Sequence, residues 1–303
     1  MRGENEMYDY APVSQGPYIP PQQPVPGAIN NTPYQGGNAP QPGYQTVPSS
    51  FYGIQYVYVA DPMTELASST GVLIKQKPQF MEQFTGCESP NRYFVFSQSP
   101  QGGMKLLFKC KEFSGCCMRN CCPAGQREFN MAIKHVASNS VLSSDDFSLP
   151  FVNVNKPFKC TCLCLDRPKM QVNFANNQPL GSIKEPFTCC DPQINTFDNT
   201  GIMKYVIRAD CCQCGLLCRN NFCGKLSSAV FNIYNANNLN SPCGTIIKKG
   251  STSFAELVTS ADSYQVNFPQ DASPQDKMIL IVAGLMIDYQ FFEEKASNDN
   301  NTD

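Results

Sequence analysis

Cysteine is the residue type with most chemistry to offer in this chain, with 17 cysteines against a single histidine, His135. They come in groups. "SGCCMRNCCPAG" (114–125) holds Cys116-Cys117 and Cys121-Cys122, "KCTCLCLDR" holds Cys160, Cys162 and Cys164, and "TCCDP" holds Cys189 and Cys190. "ADCCQCGLLCRNNFCGK" adds Cys211, Cys212, Cys214, Cys218 and Cys223. Three chemistries compete for them. Structural zinc sites take C-x2–4-C knuckles, and Cys117-x3-Cys121 with Cys214-x3-Cys218 would supply four thiolates from two distant loops. S-acylation suits thiols on one membrane-facing surface. Cys160, Cys162 and Cys164 share one face of a strand, with Lys159, Arg167 and Lys169 nearby for anionic headgroups. The third reading is packing, the thiols acting as small buried hydrophobes.

Disulfides fit less well. The first ten residues, MRGENEMYDY, contain no apolar signal-peptide core, so a reducing compartment is expected, and the cysteine count is odd. His135 has no Cys, Asp or Ser at catalytic spacing, so its expected role is structural. No G-x-S-x-G, phosphate-binding loop, glycine-rich dinucleotide turn or H-E-x-x-H occurs, which counts against a conventional hydrolase, kinase or dehydrogenase. The net charge of −2 provides no basic field for nucleic acid, and none is expected as a partner.

A hard cation has one candidate segment, "TSADSYQVNFPQDASPQD" (259–276). Counting twelve positions from Ser260 gives side-chain oxygens at Ser260, Asp262 and Asp271, with backbone carbonyls of Tyr264, Val266 and Phe268 to complete a shell. Ser at the first position, Gln265 in place of glycine and only two carboxylates predict a weak Ca2+ site. The plain alternative is a turn leading into the apolar run that follows.

The elements that would carry these groups are mostly short strands. Residues 1–50 hold ten of the 24 prolines and four charges, too little apolar surface to offset ordering, and read as a disordered Pro/Tyr/Gln/Gly arm. Its PxxP spacings at Pro17–Pro20 and Pro21–Pro24 suit SH3 or WW modules, or mark a simple spacer. From residue 51 to 296 the chain reads as one folded domain, followed by a disordered tail over 297–303. Alternating runs at 51–60, 91–98, 105–110, 128–136, 169–174, 204–210 and 229–235 predict strands, and "SPQGG", "SPCG" and "NNQPLG" predict breaks between them. A helix is expected over 63–77 and a second, apolar one over about 278–292. The second would span roughly 22 Å, short of the bilayer core at about 30 Å, and it contains Asp288. A buried core helix is the expectation.

Five pieces of sequence, "GCCMRNCC" (115–122), "KPFKCTCLC" (156–164), "ADCCQCG" (209–215), "ELVTSADSYQVNFPQD" (256–271) and "LMIDYQFFEE" (285–294), resemble the phospholipid scramblase family in order and spacing, over about residues 64–295. The resemblance implies a mainly β, tubby-like fold: a closed antiparallel barrel of about twelve strands around a central hydrophobic C-terminal helix. It implies Ca2+-dependent, ATP-independent movement of phospholipids between leaflets, without covalent catalysis, at the cytoplasmic face of the plasma membrane. It also implies palmitoylation at the positions of Cys160, Cys162 and Cys164. The family's nuclear-import segment falls near "GTIIKKGST" (244–252), where only Lys248 and Lys249 are basic, and no import is expected. The alternative function is a membrane-attached lipid-binding or signalling adaptor working through the Pro-rich arm.

Overall fold

The fold was obtained as a computed structural model describing residues 44–48, 56–77, 89–98, 104–123, 125–136, 147, 149–159, 166–218, 226–250 and 262–293. The chain divides into Met1–Gln41, which lies outside those residues together with the PxxP segments, and Pro42–Asp303. The second unit opens with an antiparallel hairpin of β1 (Tyr44–Pro48) and β2 (Tyr56–Ala60), so strand structure begins inside the segment expected to be disordered.

Twelve strands then close into a barrel. They are β3 (Gly71–Gln76), β4 (Arg92–Gln98), β5 (Met104–Phe113), β6 (Phe129–His135), β7 (Val152–Lys156), β8 (Lys169–Phe174), β9 (Pro179–Lys184), β10 (Gln193–Asp198), β11 (Met203–Arg208), β12 (Ala229–Asn235), β13 (Asn238–Lys249) and β14 (Ser263–Asn267). Each pairs antiparallel with its sequence neighbours, and β14 closes the ring on β3 through Tyr264↔Ile74 and Val266↔Val72. Closure leaves no unpaired edge. The seven runs expected to be strands overlap β2, β4, β5, β6, β8, β11 and β12.

The expected helix over 63–77 is corrected. Helix α1 covers only Pro62–Ser68, capped by Asp61, whose side chain accepts from Thr64 N. Ser69 and Thr70 break it, and Val72 and Ile74 then pair between β14 and β4. β-branched side chains suit that pleated, two-sided burial. The "SPCG" break is likewise inside β13, where the ladder with β12 shifts register near Pro242 and accommodates it. "NNQPLG" ends inside β9, which begins at Pro179.

Short helices α2 (Cys116–Cys121) and α3 (Cys214–Leu217) lie in connections, and the barrel is filled by helix α4 (Pro274–Ile287), which continues as a π-helical turn, Asp288–Phe292. A capping box starts α4: Ser273 Oγ accepts from Asp276 N at 3.1 Å, and Asp276 Oδ2 accepts from Ser273 N at 3.2 Å. Met278 through Ile287 are buried on every side, as a helix surrounded by strands must be. Contact is close enough that a Cβ on Gly181 of β9 would sit 2.5 Å from Ile279 Cδ1. The buried-helix expectation therefore holds, and among the described residues no helix is long and apolar enough to cross a membrane.

Lys277, on the first turns of α4, donates to the carbonyls of Leu66, Ala67 and Ser69 at 3.3, 2.7 and 2.9 Å, capping the C-terminal end of α1. Charged donors to backbone oxygens at a helix C-terminus are favourable. Lys277→Met should lower stability by about 2 kcal/mol, read as a melting temperature roughly 5 °C lower.

Candidate site at the cysteine-bearing end of the barrel

Alternation along the strands decides what meets at each end. The connections β3–β4, β5–β6, β7–β8, β9–β10, β11–β12 and β13–β14 all lie at one end, where the chain also leaves the barrel after the π turn. By sequence position, 15 of the 17 cysteines fall in those connections, leaving only Cys110 on β5 and Cys243 on β13. Among the described residues, the topology thus gathers at one end thiols from Cys116 to Cys218, which the sequence scatters over about a hundred residues.

At this end the inward phase of each strand runs on from apolar to polar. Val72 and Ile74 are followed by Gln76, and Val95 and Tyr93 are preceded by Asn91. In the same register lie Cys110 then Glu112, Phe129 after Arg127, Val154 then Lys156, Ile183 then Glu185, Ile246 then Lys248, and Tyr264 after Asp262. These side chains form a polar layer around the π turn. Asp288, 1% exposed, accepts from Tyr93 OH at 2.6 Å and from Tyr264 OH at 2.5 Å. Glu112 accepts from Tyr289 OH at 2.9 Å and from Asn91 N at 3.0 Å, and pairs with Arg127 at 3.3 Å. Arg127 also pairs with Glu293 at 2.6 Å, and Lys156 donates to the Arg127 carbonyl at 2.7 Å. Gln290 donates to Glu185 at 2.6 Å, and Glu185 is ion-paired to Arg167.

Burial dominates the proton affinities. It pushes Asp288 up to about 6, helped by the Asp262 carboxylate and opposed by the two tyrosine hydroxyls and Lys248. Burial pushes Glu293 up to about 8 against the pull of Arg127. Lys156 is lowered to about 8, first by burial and then by Arg127. Tyr93, Tyr264 and Tyr289 are held well above the ordinary tyrosine value, so they stay protonated donors. Asp288 aside, sequence reasoning missed this layer. The signal was the period-two extension of each inward register into a charged residue.

The thiols around the layer correct the packing reading. Among the described residues, Cys117, Cys121, Cys189, Cys190, Cys212 and Cys214 are exposed at this end, and only Cys110 is buried. Cys116 is disulfide-bonded, so the wholly reduced set expected from sequence does not hold. Cys117, Cys121, Cys214 and Cys218 do not converge. The one described group with ligating atoms mutually within 4.8 Å is Asp210, Cys211 and Cys212. There the Asp191 carboxylate, and secondarily Cys212, raise the Cys211 thiol to about 11. Cys160, Cys162 and Cys164 lie outside the described residues.

Within the candidate Ca2+ segment, Ser263–Asn267 forms strand β14. Ser260 lies outside the described residues, and Asp262 leads into β14 and pairs with Lys248 at 3.1 Å. Tyr264 and Val266 point into the core, and their backbones pair with β13 and β3. At the rise of an extended strand, residues 262 to 267 alone cover roughly 17 Å, and Asp271 stands exposed beyond the far end. Asp262 and Asp271 therefore stand beyond opposite ends of β14. His135 is structural, with Nε2 3.3 Å from Glu65 and its ring 5.9 Å from that of Phe108.

The family model described as scramblase matches residues 53–294. Phospholipid scramblase 1 of Homo sapiens is 23% identical over 268 residues, covering 87% of this chain and 72% of the relative. Phospholipid scramblase 2 of Bos taurus is 24% identical over 276 residues, covering 89% and 80%, and phospholipid scramblase 4 of Homo sapiens is 25% identical over 292 residues, covering 94% and 79%.

Proposed function

This chain belongs to the scramblase family, and on that premise we propose that it moves phospholipids between membrane leaflets in both directions, Ca2+-dependently, without ATP and without covalent catalysis. The family match over the whole barrel and its helix carries the reading. It names no nucleophile because none is needed: a lipid that crosses passively changes no bond. The barrel interior is occupied by α4 from Met278 to Ile287, so the lipid path proposed runs along the outside of the folded domain, through bilayer disturbed by the bound protein. Attachment at the cytoplasmic face is assigned to acylation of Cys160, Cys162 and Cys164. Ca2+ control through Asp262 and Asp271 would require β14 to leave the ladder, since its extended form separates them.

The test is reconstitution of the full chain in liposomes carrying a fluorescent phospholipid, with dithionite quenching in Ca2+ and in chelator. Ca2+-stimulated quenching of inner-leaflet lipid is the expected result. No quenching beyond that of empty vesicles, with incorporation verified, would overturn scrambling. Equal quenching in chelator would overturn the Ca2+ part alone.

A further inference from the structure

We infer that the cysteine-bearing end of the barrel docks directly on an anionic phospholipid surface, with Phe113, Phe158, Phe187, Leu217 and Leu226 entering the headgroup layer independently of acyl chains. The inference rests on the scramblase reading for the identity of the partner as lipid, and on geometry for the face. Those five side chains are 44, 46, 57, 72 and 37% exposed and come from the end of β5 and from the connections β7–β8, β9–β10 and β11–β12, so they are spread around the polar layer rather than lining one edge. Exposed thiols of Cys117, Cys121, Cys189, Cys190, Cys212 and Cys214 stand among them. A soluble domain rarely leaves several large apolar groups outward on one face without a surface to meet.

Apolar area alone does not choose this end, because Met104, Leu149, Ile202, Met203 and Leu239 are exposed at the opposite one. The accompanying chemistry does. Lys77, Lys184 and Lys249 are exposed at the cysteine end. Its acids are largely occupied: Asp166 with Lys159, Glu185 with Arg167, Asp262 with Lys248, and Asp191 and Asp210 with the N–H groups of Cys211 and Cys212. Glu128 is the exposed exception. At the opposite end Lys105 is spent on Glu65 at 2.5 Å and Lys204 faces Asp276 at 3.9 Å, while Asp271 is exposed. Outward lysines beside outward phenylalanines match an anionic headgroup layer over hydrocarbon.

The chain contains no tryptophan, so one introduced indole reports its own surroundings. Full-length protein made without acylation would be mixed with vesicles of phosphatidylcholine alone or with phosphatidylserine. Phe187→Trp should shift its emission to the blue on phosphatidylserine vesicles, while Ile202→Trp at the opposite end should not. By sedimentation, Phe113→Ser/Phe158→Ser/Phe187→Ser should lose at least about thirty-fold in partitioning, and Met104→Ser/Leu149→Ser/Ile202→Ser should stay within about twofold of the parent. Lys77→Gln/Lys184→Gln/Lys249→Gln should weaken only the phosphatidylserine binding. Equal losses from the two serine triples, an Ile202→Trp shift matching that of Phe187→Trp, or a parent that binds no vesicle would overturn the docking face. So would a concentration-dependent dimer abolished by the phenylalanine triple, which would make the face a protein interface. Binding is read apart from lipid movement, so a docked but inactive protein would overturn scrambling and leave the face standing.

Discussion

Asp288→Ala should destabilise the folded chain by about 4 kcal/mol, measured as a lower urea midpoint with an unchanged slope. The carboxylate accepts from two fully buried tyrosine hydroxyls, Tyr93 and Tyr264. Removing it leaves both donors without a partner, at about 1–3 kcal/mol each. The cost should be reversible by removing the donors as well. Tyr93→Phe/Tyr264→Phe/Asp288→Leu should regain most of the loss, because an apolar set of similar shape has nothing left to satisfy. A triple variant no more stable than Asp288→Ala would mean that the cost came from packing and not from the hydroxyls. The same side chain settles a question of sequence interpretation. Asp288 sits at the end of an apolar run that, by hydropathy alone, resembles a membrane segment interrupted by a charge. Its two donors come from opposite sides of the barrel closure, one on β4 and one on β14, so it pins the helix terminus between strands far apart in sequence.

Those pairings explain which parts of the molecule could be read in advance. "KMQVNF" and "AVFNIYN" alternate strongly enough that β8 and β12 match their runs residue for residue. β7 and β10, "VNVNK" and "QINTFD", alternate over only five and six residues, with few inward apolar residues each. β3 was hidden because "VLIKQ" follows a true helix and its apolar run fits either period. β14 was hidden because the carboxylates on either side of it, Asp262 and Asp271, suggested a cation loop, whereas its inward residues Tyr264 and Val266 already alternated. The polar layer was legible only as a phase: Glu112, Arg127 and Lys156 each occupy the next inward position after a buried apolar residue. Nothing local says that these three meet, because the meeting depends on the order of strands around the ring. Thiol exposure was illegible for the same reason, since vicinal cysteines in a connection can face core or solvent without any change of pattern.

The polar layer also fixes an unusual pH response, and its sign follows from burial. An acid whose folded pKa is raised holds its proton in the native state after the unfolded chain has released it. Stability then falls as pH rises between the two values. For Asp288 the window runs from about pH 4 to about 6, and for Glu293 it extends to about 8. Asp288 alone should account for a loss on the order of 3 kcal/mol across its window. Half-buried Asp198, whose carboxyl is lowered chiefly by the Thr200 hydroxyl, acts oppositely, its contribution being lost only as pH falls below the ordinary carboxylate value. The chain should therefore unfold at higher urea at pH 5 than at pH 8, the reverse of a protein held by paired surface carboxylates. Asp288→Asn should lessen the slope below pH 6, and Glu293→Gln should lessen it below pH 6 and remove it between 6 and 8, because neither amide titrates. The groups facing Asp288 are Tyr93 from β4, Tyr264 from β14, Lys248 from β13 and Asp262 at the start of β14. Of these, only Asp262 resists ionisation of Asp288, so Asp262→Asn should move the Asp288 transition to lower pH. A stability profile rising from pH 5 to pH 8 would show that the layer holds its carboxylates ionised, and that the helix terminus is tied down by charge pairing and not by protonated, hydrogen-bonded acids.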